Sequence, residues 1–139
     1  MAKRISFDVA LAALQTASTA AQDMAASVCI ALVDEAGSLI AFIRQDSSFL
    51  ISSELAIDKA WTATGMKMST RGLGELLSGA PANVRDGLLR RPRLTEVPGG
   101  IPIVFEGSPI GGIGVSGGSA EEDEQLAEIA LRTVMEKLT

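Results

Sequence analysis

Residues 28–46 read VCIALVDEAGSLIAFIRQD, two apolar runs flanking a short polar segment. Val, Ile, Leu and Phe dominate both runs, and Glu35-Ala36-Gly37 between them supplies a tight turn. The stretch therefore predicts a β-hairpin whose second strand ends near Arg44. Neither run alternates apolar with polar, so the sheet is expected to be covered on both faces. Helices on either side must do the covering, and the flanking sequence supplies them.

Ahead of the hairpin, Ser6 caps a helix predicted over 7–26, with Val9, Ala13, Ala17, Ala20 and Met24 on helical spacing. After Ser47-Ser48 a helix is predicted over 49–67. Leu50, Ile57, Trp61 and Met68 form one apolar stripe, and Ile51, Leu55, Thr62 and Met66 form another nearly opposite. Two such faces predict burial on both sides, one against the sheet and one against a neighbouring element or subunit. Thr70 is expected to cap a short helix to Ser78, and ANVRDGLLRR forms another before Pro92. Beyond the turn-rich PRLTEVPGG come two strands, IPIVFE and PIGGIGVS, joined at Gly107-Ser108. A final helix from Ser119 turns Leu126, Ile129, Thr133 and Leu138 inward. The order predicts one α+β domain over 1–139, a central antiparallel sheet of two hairpins covered by helices.

The glycine run from Gly111 to Gly118 raises the possibility of a phosphate cradle. Its surroundings argue otherwise. No Lys lies between Gly107 and Glu136, and Glu121, Glu122, Asp123 and Glu124 crowd the first helical turn, where they repel an incoming anion. Ser119 and Glu122 also have the spacing of a capping box, which uses the N–H groups a phosphate would need. The glycines are read instead as places where backbones approach closely.

Composition narrows the function. No apolar run nears the roughly 20 residues that cross a bilayer, and Asp8, Gln15, Gln22 and Asp23 interrupt any leader-like segment. No membrane partner is expected, and the N-terminal segment is read as a mature helix in the cytoplasm. The single Cys29 rules out an internal disulfide. A net charge of -5, four Phe, one Trp and no Tyr argue against nucleic acid. The one basic cluster, Arg85, Arg90, Arg91 and Arg93, suits a small carboxylate or a solvated helix end. The chain has no His, which removes His-based acid–base chemistry and the usual zinc and heme ligands, so no metal site is expected.

Lys59 is the most informative candidate, because Leu55, Ala63 and Met66 flank it on an apolar stripe. Paired with Asp34, Asp46 or a substrate carboxylate it is a structural or binding cation. Desolvated without a partner it becomes a base or amine nucleophile. Arg44 and Asp46 leave the hairpin two residues apart, as a surface pair or as a carboxylate clamp beside an acid–base group. Thr62 follows on the next helix, and Glu96 stands before Pro98-Gly99-Gly100, where the glycines let backbone approach a ligand. Lys59, Asp46 and Glu96 are thus the catalytic candidates, and Arg44, Thr62, Gly99 and Gly100 the ligand-binding ones.

VDEAGSLIAFIRQD, IDKAWTA, GGIPIVFEG and IGGIGVSGGSAEED occur in an order that resembles the GlcG/HbpS-like family, which includes the C-terminal domain of PduO-type proteins. The resemblance implies a profilin-like α-β-α fold and a homo-oligomer, a dimer or larger. Lys59 matches the family's K-A-x-T-A position. Heme or a corrinoid enters as a cofactor through the resemblance alone, and iron ligation through His is impossible here. Two functions stay open. One is a small-molecule-binding oligomer for an organic acid or cofactor, accessory to a catabolic pathway. The other is a His-free lyase, isomerase or hydrolase acting on a small organic acid.

Overall fold

The computed structural model describes residues 3–138. Its elements run α1 (Phe7–Asp23), β1 (Cys29–Asp34), β2 (Leu39–Arg44), α2 (Leu50–Met66), α3 (Thr70–Ser78), α4 (Ala82–Leu89), β3 (Gly100–Phe105), β4 (Ser108–Ser116) and α5 (Ala120–Leu138). The four strands form one sheet in the order β2-β1-β4-β3, every pair antiparallel. The two predicted hairpins thus form one antiparallel sheet, joined through β1 and β4.

The β1 run is apolar throughout because it is sandwiched. Ile30 and Leu32 join Ala10, Leu14, Leu126 and Val134 in a core beneath α1 and α5. Cys29, Ala31 and Val33 face the other way, against Ala56 and Ala60 of α2. The turn between β1 and β2 is held by Asp34, whose carboxylate accepts from the N–H groups of Ala36 (2.9 Å) and Ser38 (3.0 Å), with Gly37 at φ 82°.

The glycine run has a packing role. A Cβ on Gly114 would collide with the Ala56 carbonyl, and one on Gly112 would stand 2.7 Å from that of Ala60. The bare strand lets α2 lie directly on β4. Ser119 and Glu122 form the expected capping box, with N–H to side-chain oxygen distances of 2.9 and 3.1 Å. Gly118 N–H is taken by Asp123 Oδ1 at 2.9 Å, which occupies a donor that a phosphate cradle would use.

Close approach also overturns the two-stripe reading of α2. Its buried residues are Ser52, Ala56, Lys59, Ala60, Thr62, Ala63 and Thr64, mostly small side chains that let the helix sit close over the β4 glycines. The large residues at its start lie outside, Leu50 93% exposed and Ile51 71% exposed. Two boundaries also differ. α1 stops at Asp23, where Ala25 at φ 56° turns the chain into β1. Ser69, not Thr70, caps α3 by accepting from Gly72 N–H, and Thr70 Oγ1 instead accepts from Gly100 N–H.

Candidate functional site

Lys59 projects from the sheet-facing side of α2 and is 1% exposed. Its Nζ donates to the Val115 carbonyl at 2.7 Å and lies 3.2 Å from Asp123 Oδ2. The sequence offers Asp34, Asp46 or a substrate carboxylate as its partner. Asp34 is committed to the hairpin turn, and the acid in place comes from the first turn of α5. Burial pulls the Lys59 ammonium below its ordinary value, and the Asp123 carboxylate opposes that pull. Burial likewise pushes Asp123 up, against Lys59 and the Gly118 N–H.

Gly99 and Gly100 complete this cluster. A Cβ on Gly99, at φ 126°, would stand 2.9 Å from Lys59 Nζ, and one on Gly100 would strike the Lys59 carbonyl. The glycines, expected to let backbone approach a ligand, instead pack against Lys59 and seal it within its own chain. Thr62, one turn further along α2, donates to the Arg93 carbonyl and accepts from Thr95 N–H, both at 3.1 Å, and so clips down the linker before β3. Glu96 on that linker sits 3.7 Å from Arg85, and its Oε2 is buried without a hydrogen-bond partner among the described residues. Arg93 covers the Trp61 ring at 4.6 Å and pairs loosely with Asp58 at 3.8 Å.

Arg44 and Asp46 stand apart from that cluster. Arg44 pairs with Cys29 across the ladder at the sheet edge, and neither it nor Asp46 has an ion-pair partner among the described residues. Together with Ser18, Gln22, Ser27 and Gln45 they line an open groove of about 420 Å³ between α1 and the end of β2. Gln45 organises its floor. Its Nε2 donates to Ser18 Oγ (2.8 Å) and the Ser18 carbonyl (3.0 Å), while its Oε1 accepts from Val28 N–H (2.9 Å).

The candidate residues thus fall in two places, a closed one around Lys59 and an open one at Arg44. Sequence reasoning missed Asp123 and Gln45. Asp123 did carry a signal, for it falls on the inner stripe with Leu126, Ala127 and Ala130. Gln45 carried none. Among the described residues no group of three His, Cys, Asp or Glu side chains could hold a metal, and no helix is long and apolar enough to cross a membrane.

A four-stranded antiparallel sheet between α1 and α5 on one face and α2 on the other defines a profilin-like α+β protein, closed by a buried lysine–aspartate pair. The match to known proteins is more specific. The chain belongs to the HbpS-like family, whose model, described as haem degrading protein HbpS-like, matches residues 5–132. It is 34% identical over 114 residues to the corrinoid adenosyltransferase PduO of Citrobacter freundii, covering 82% of this chain and 34% of that one. To protein GlcG of Escherichia coli K12 it is 37% identical over 90 residues, 65% of this chain and 64% of GlcG. It thus spans about a third of that adenosyltransferase and just under two thirds of GlcG. A crystal structure of a PduOC:heme complex superposes with a TM-score of 0.85 at 33% identity, covering 94% of this chain and 95% of that one.

Proposed function

We propose that this chain is a homo-oligomeric binding protein for a small organic acid, acting in the cytoplasm as an accessory to a catabolic pathway. The observation that carries the reading is the groove at the end of β2. An exposed guanidinium without an ionic partner among the described residues, Arg44, lines a polar hollow whose floor Gln45 has already ordered. Such a site binds a carboxylate without first breaking an internal ion pair. Catalysis by Lys59 is disfavoured by its surroundings, since the amine is buried, paired and sealed by Gly99. Lys59 is a structural cation in this reading, and Thr62, Gly99 and Gly100 support it. Asp46 stays with Arg44 in the groove, and Glu96 belongs to the linker.

The relative's heme does not carry over through iron ligation. The chain has neither His nor Tyr, and Cys29 is buried, its Sγ 3.5 Å from Ser48 Oγ and 3.7 Å from Ser53 Oγ. The side chains that hold heme iron in most proteins are therefore missing or enclosed. The oligomer reading rests on α2, whose first turn leaves Phe49, Leu50 and Ile51 68, 93 and 71% exposed.

The test is a titration of the isotopically labelled protein with a panel of two- to four-carbon acids, followed through backbone amide shifts. Saturable shifts at residues 18–27 and 43–46 are expected for at least one acid. Shifts confined to the Lys59 and Gly99 region would move the site there, and an unresponsive spectrum across the panel would end the organic-acid reading.

A further inference from the structure

The groove at the end of β2 holds two opposite charges that do not meet. Arg44 and Asp46 both line it, and among the described residues neither side chain makes an ion pair or a hydrogen bond. Gln22 and Ser27, on the α1 side, have side chains equally without partners. Elsewhere acids and bases do close on each other, Lys59 on Asp123, Arg71 on Glu124, Arg85 on Glu96 and Arg93 on Asp58. Within the groove itself Gln45 and Ser18 are tied together at 2.8 Å. The hollow therefore has a fixed floor and four polar side chains still to be used.

Its α1 wall carries a sign of its own. α1 ends at Asp23 with no basic residue in its last turn, so the negative end of the helix dipole, about half an elementary charge, is left uncompensated. The groove thus sets one positive point, Arg44, against two negative ones, Asp46 and the carboxyl end of α1. A ligand bearing only a carboxylate gains from Arg44 and is repelled by the other two. A hydroxyl on the next carbon adds one hydrogen bond and leaves the negative charges unbalanced. An ammonium in that place balances them, and its three hydrogens can reach Asp46 and the side-chain oxygens of Gln22 and Ser27. Ala26 and Ile43 are the apolar lining, in a hollow of about 420 Å³, which suits a short side chain.

We infer that the acid this groove takes is an α-amino acid with a small side chain, its carboxylate on Arg44 and its ammonium toward Asp46 and the carboxyl end of α1. This inference rests on the organic-acid reading of the groove and names the class of acid.

The experiment compares L-alanine, L-lactate and propanoate, which differ only in the group on the carbon beside the carboxylate. Each is titrated into the full chain near neutral pH, with affinities from calorimetry and the site from backbone amide shifts. Alanine should bind about tenfold or more tighter than propanoate, the worth of one hydrogen bond to a charged group, with shifts at residues 18–27 and 43–46. Asp46→Asn should weaken alanine and tighten propanoate. Those opposite changes separate a charge effect from a damaged groove, which would weaken both. Alanine bound no tighter than propanoate or lactate, or an Asp46→Asn chain that keeps the wild-type preference, overturns the amino-acid inference and leaves the organic-acid reading standing. No saturable response to these three or to the other two- to four-carbon acids overturns both.

Discussion

Lys59 Nζ and Asp123 Oδ2 stand 3.2 Å apart with both side chains almost wholly out of solvent, joining the middle of α2 to the first turn of α5 at the end of β4. Removing one partner leaves a buried charge alone. Asp123→Ala is expected to lower unfolding free energy by about 3–5 kcal/mol, whereas Lys59→Met with Asp123→Leu should recover most of that loss. Urea denaturation of the single and double variants measures the coupling. Additive losses would show that the two residues act independently.

The same pair sets a pH signature. Asp123 has a raised value in the folded chain, so its favourable contribution is present below its unfolded value of about 3.8 and is lost as pH rises through the folded one. Lys59 has a lowered value, so its contribution is present above the unfolded value near 10.5 and is lost as pH falls through the folded one. Measured against the Lys59→Met, Asp123→Leu variant, wild-type stability should therefore be relatively lowest around neutrality and rise toward both extremes. A difference flat from pH 4 to 10 would rule out burial as the dominant influence on the pair.

Gly114 tests the close seat of α2 on β4. A methyl group there meets the Ala56 carbonyl, and Gly114→Ala should cost at least about 1–3 kcal/mol through overpacking. Gly87 in α4 has open space around its Cβ position, so Gly87→Ala should instead add about 0.5–1 kcal/mol from helix propensity. Thermal melts of the two variants moving in the same direction would contradict the packing.

Much of this architecture was legible because its signals are local. The hairpin at 28–46, the Ser6 cap and the Ser119–Glu122 box each depend on residues within a few positions of one another. The face of α2 was not. Its period-3.6 pattern favours Leu50, Ile51 and Ile57, but what it buries is decided by its close seat on glycines fifty residues away in β4, where Ala56, Ala60, Thr64 and the stem of Lys59 lie. The site divided for a similar reason. Lys59 was readable as a lysine on an apolar stripe, while its partner lay 64 positions along the chain, among four consecutive acids of which one points inward.

Hemin titration addresses the cofactor that the family brings with it. Without His or Tyr and with Cys29 enclosed, a weak, unsaturated rise in absorbance is expected. A sharp Soret band saturating at one equivalent, and abolished by Cys29→Ser, would show that the strand opens to ligate iron.

The division between a structural lysine and a binding arginine is tested most directly by melting curves of wild type, Lys59→Met and Arg44→Met, each with and without a small organic acid that binds. At 100 times its dissociation constant the acid should stabilise the wild type by about 2.7 kcal/mol. Arg44→Met should melt near the wild type and lose that stabilisation. Lys59→Met should melt lower, by the equivalent of about 3–5 kcal/mol, and still respond to the acid in full. A Lys59→Met protein that melts like the wild type but no longer responds, beside an Arg44→Met protein that does, would contradict the account.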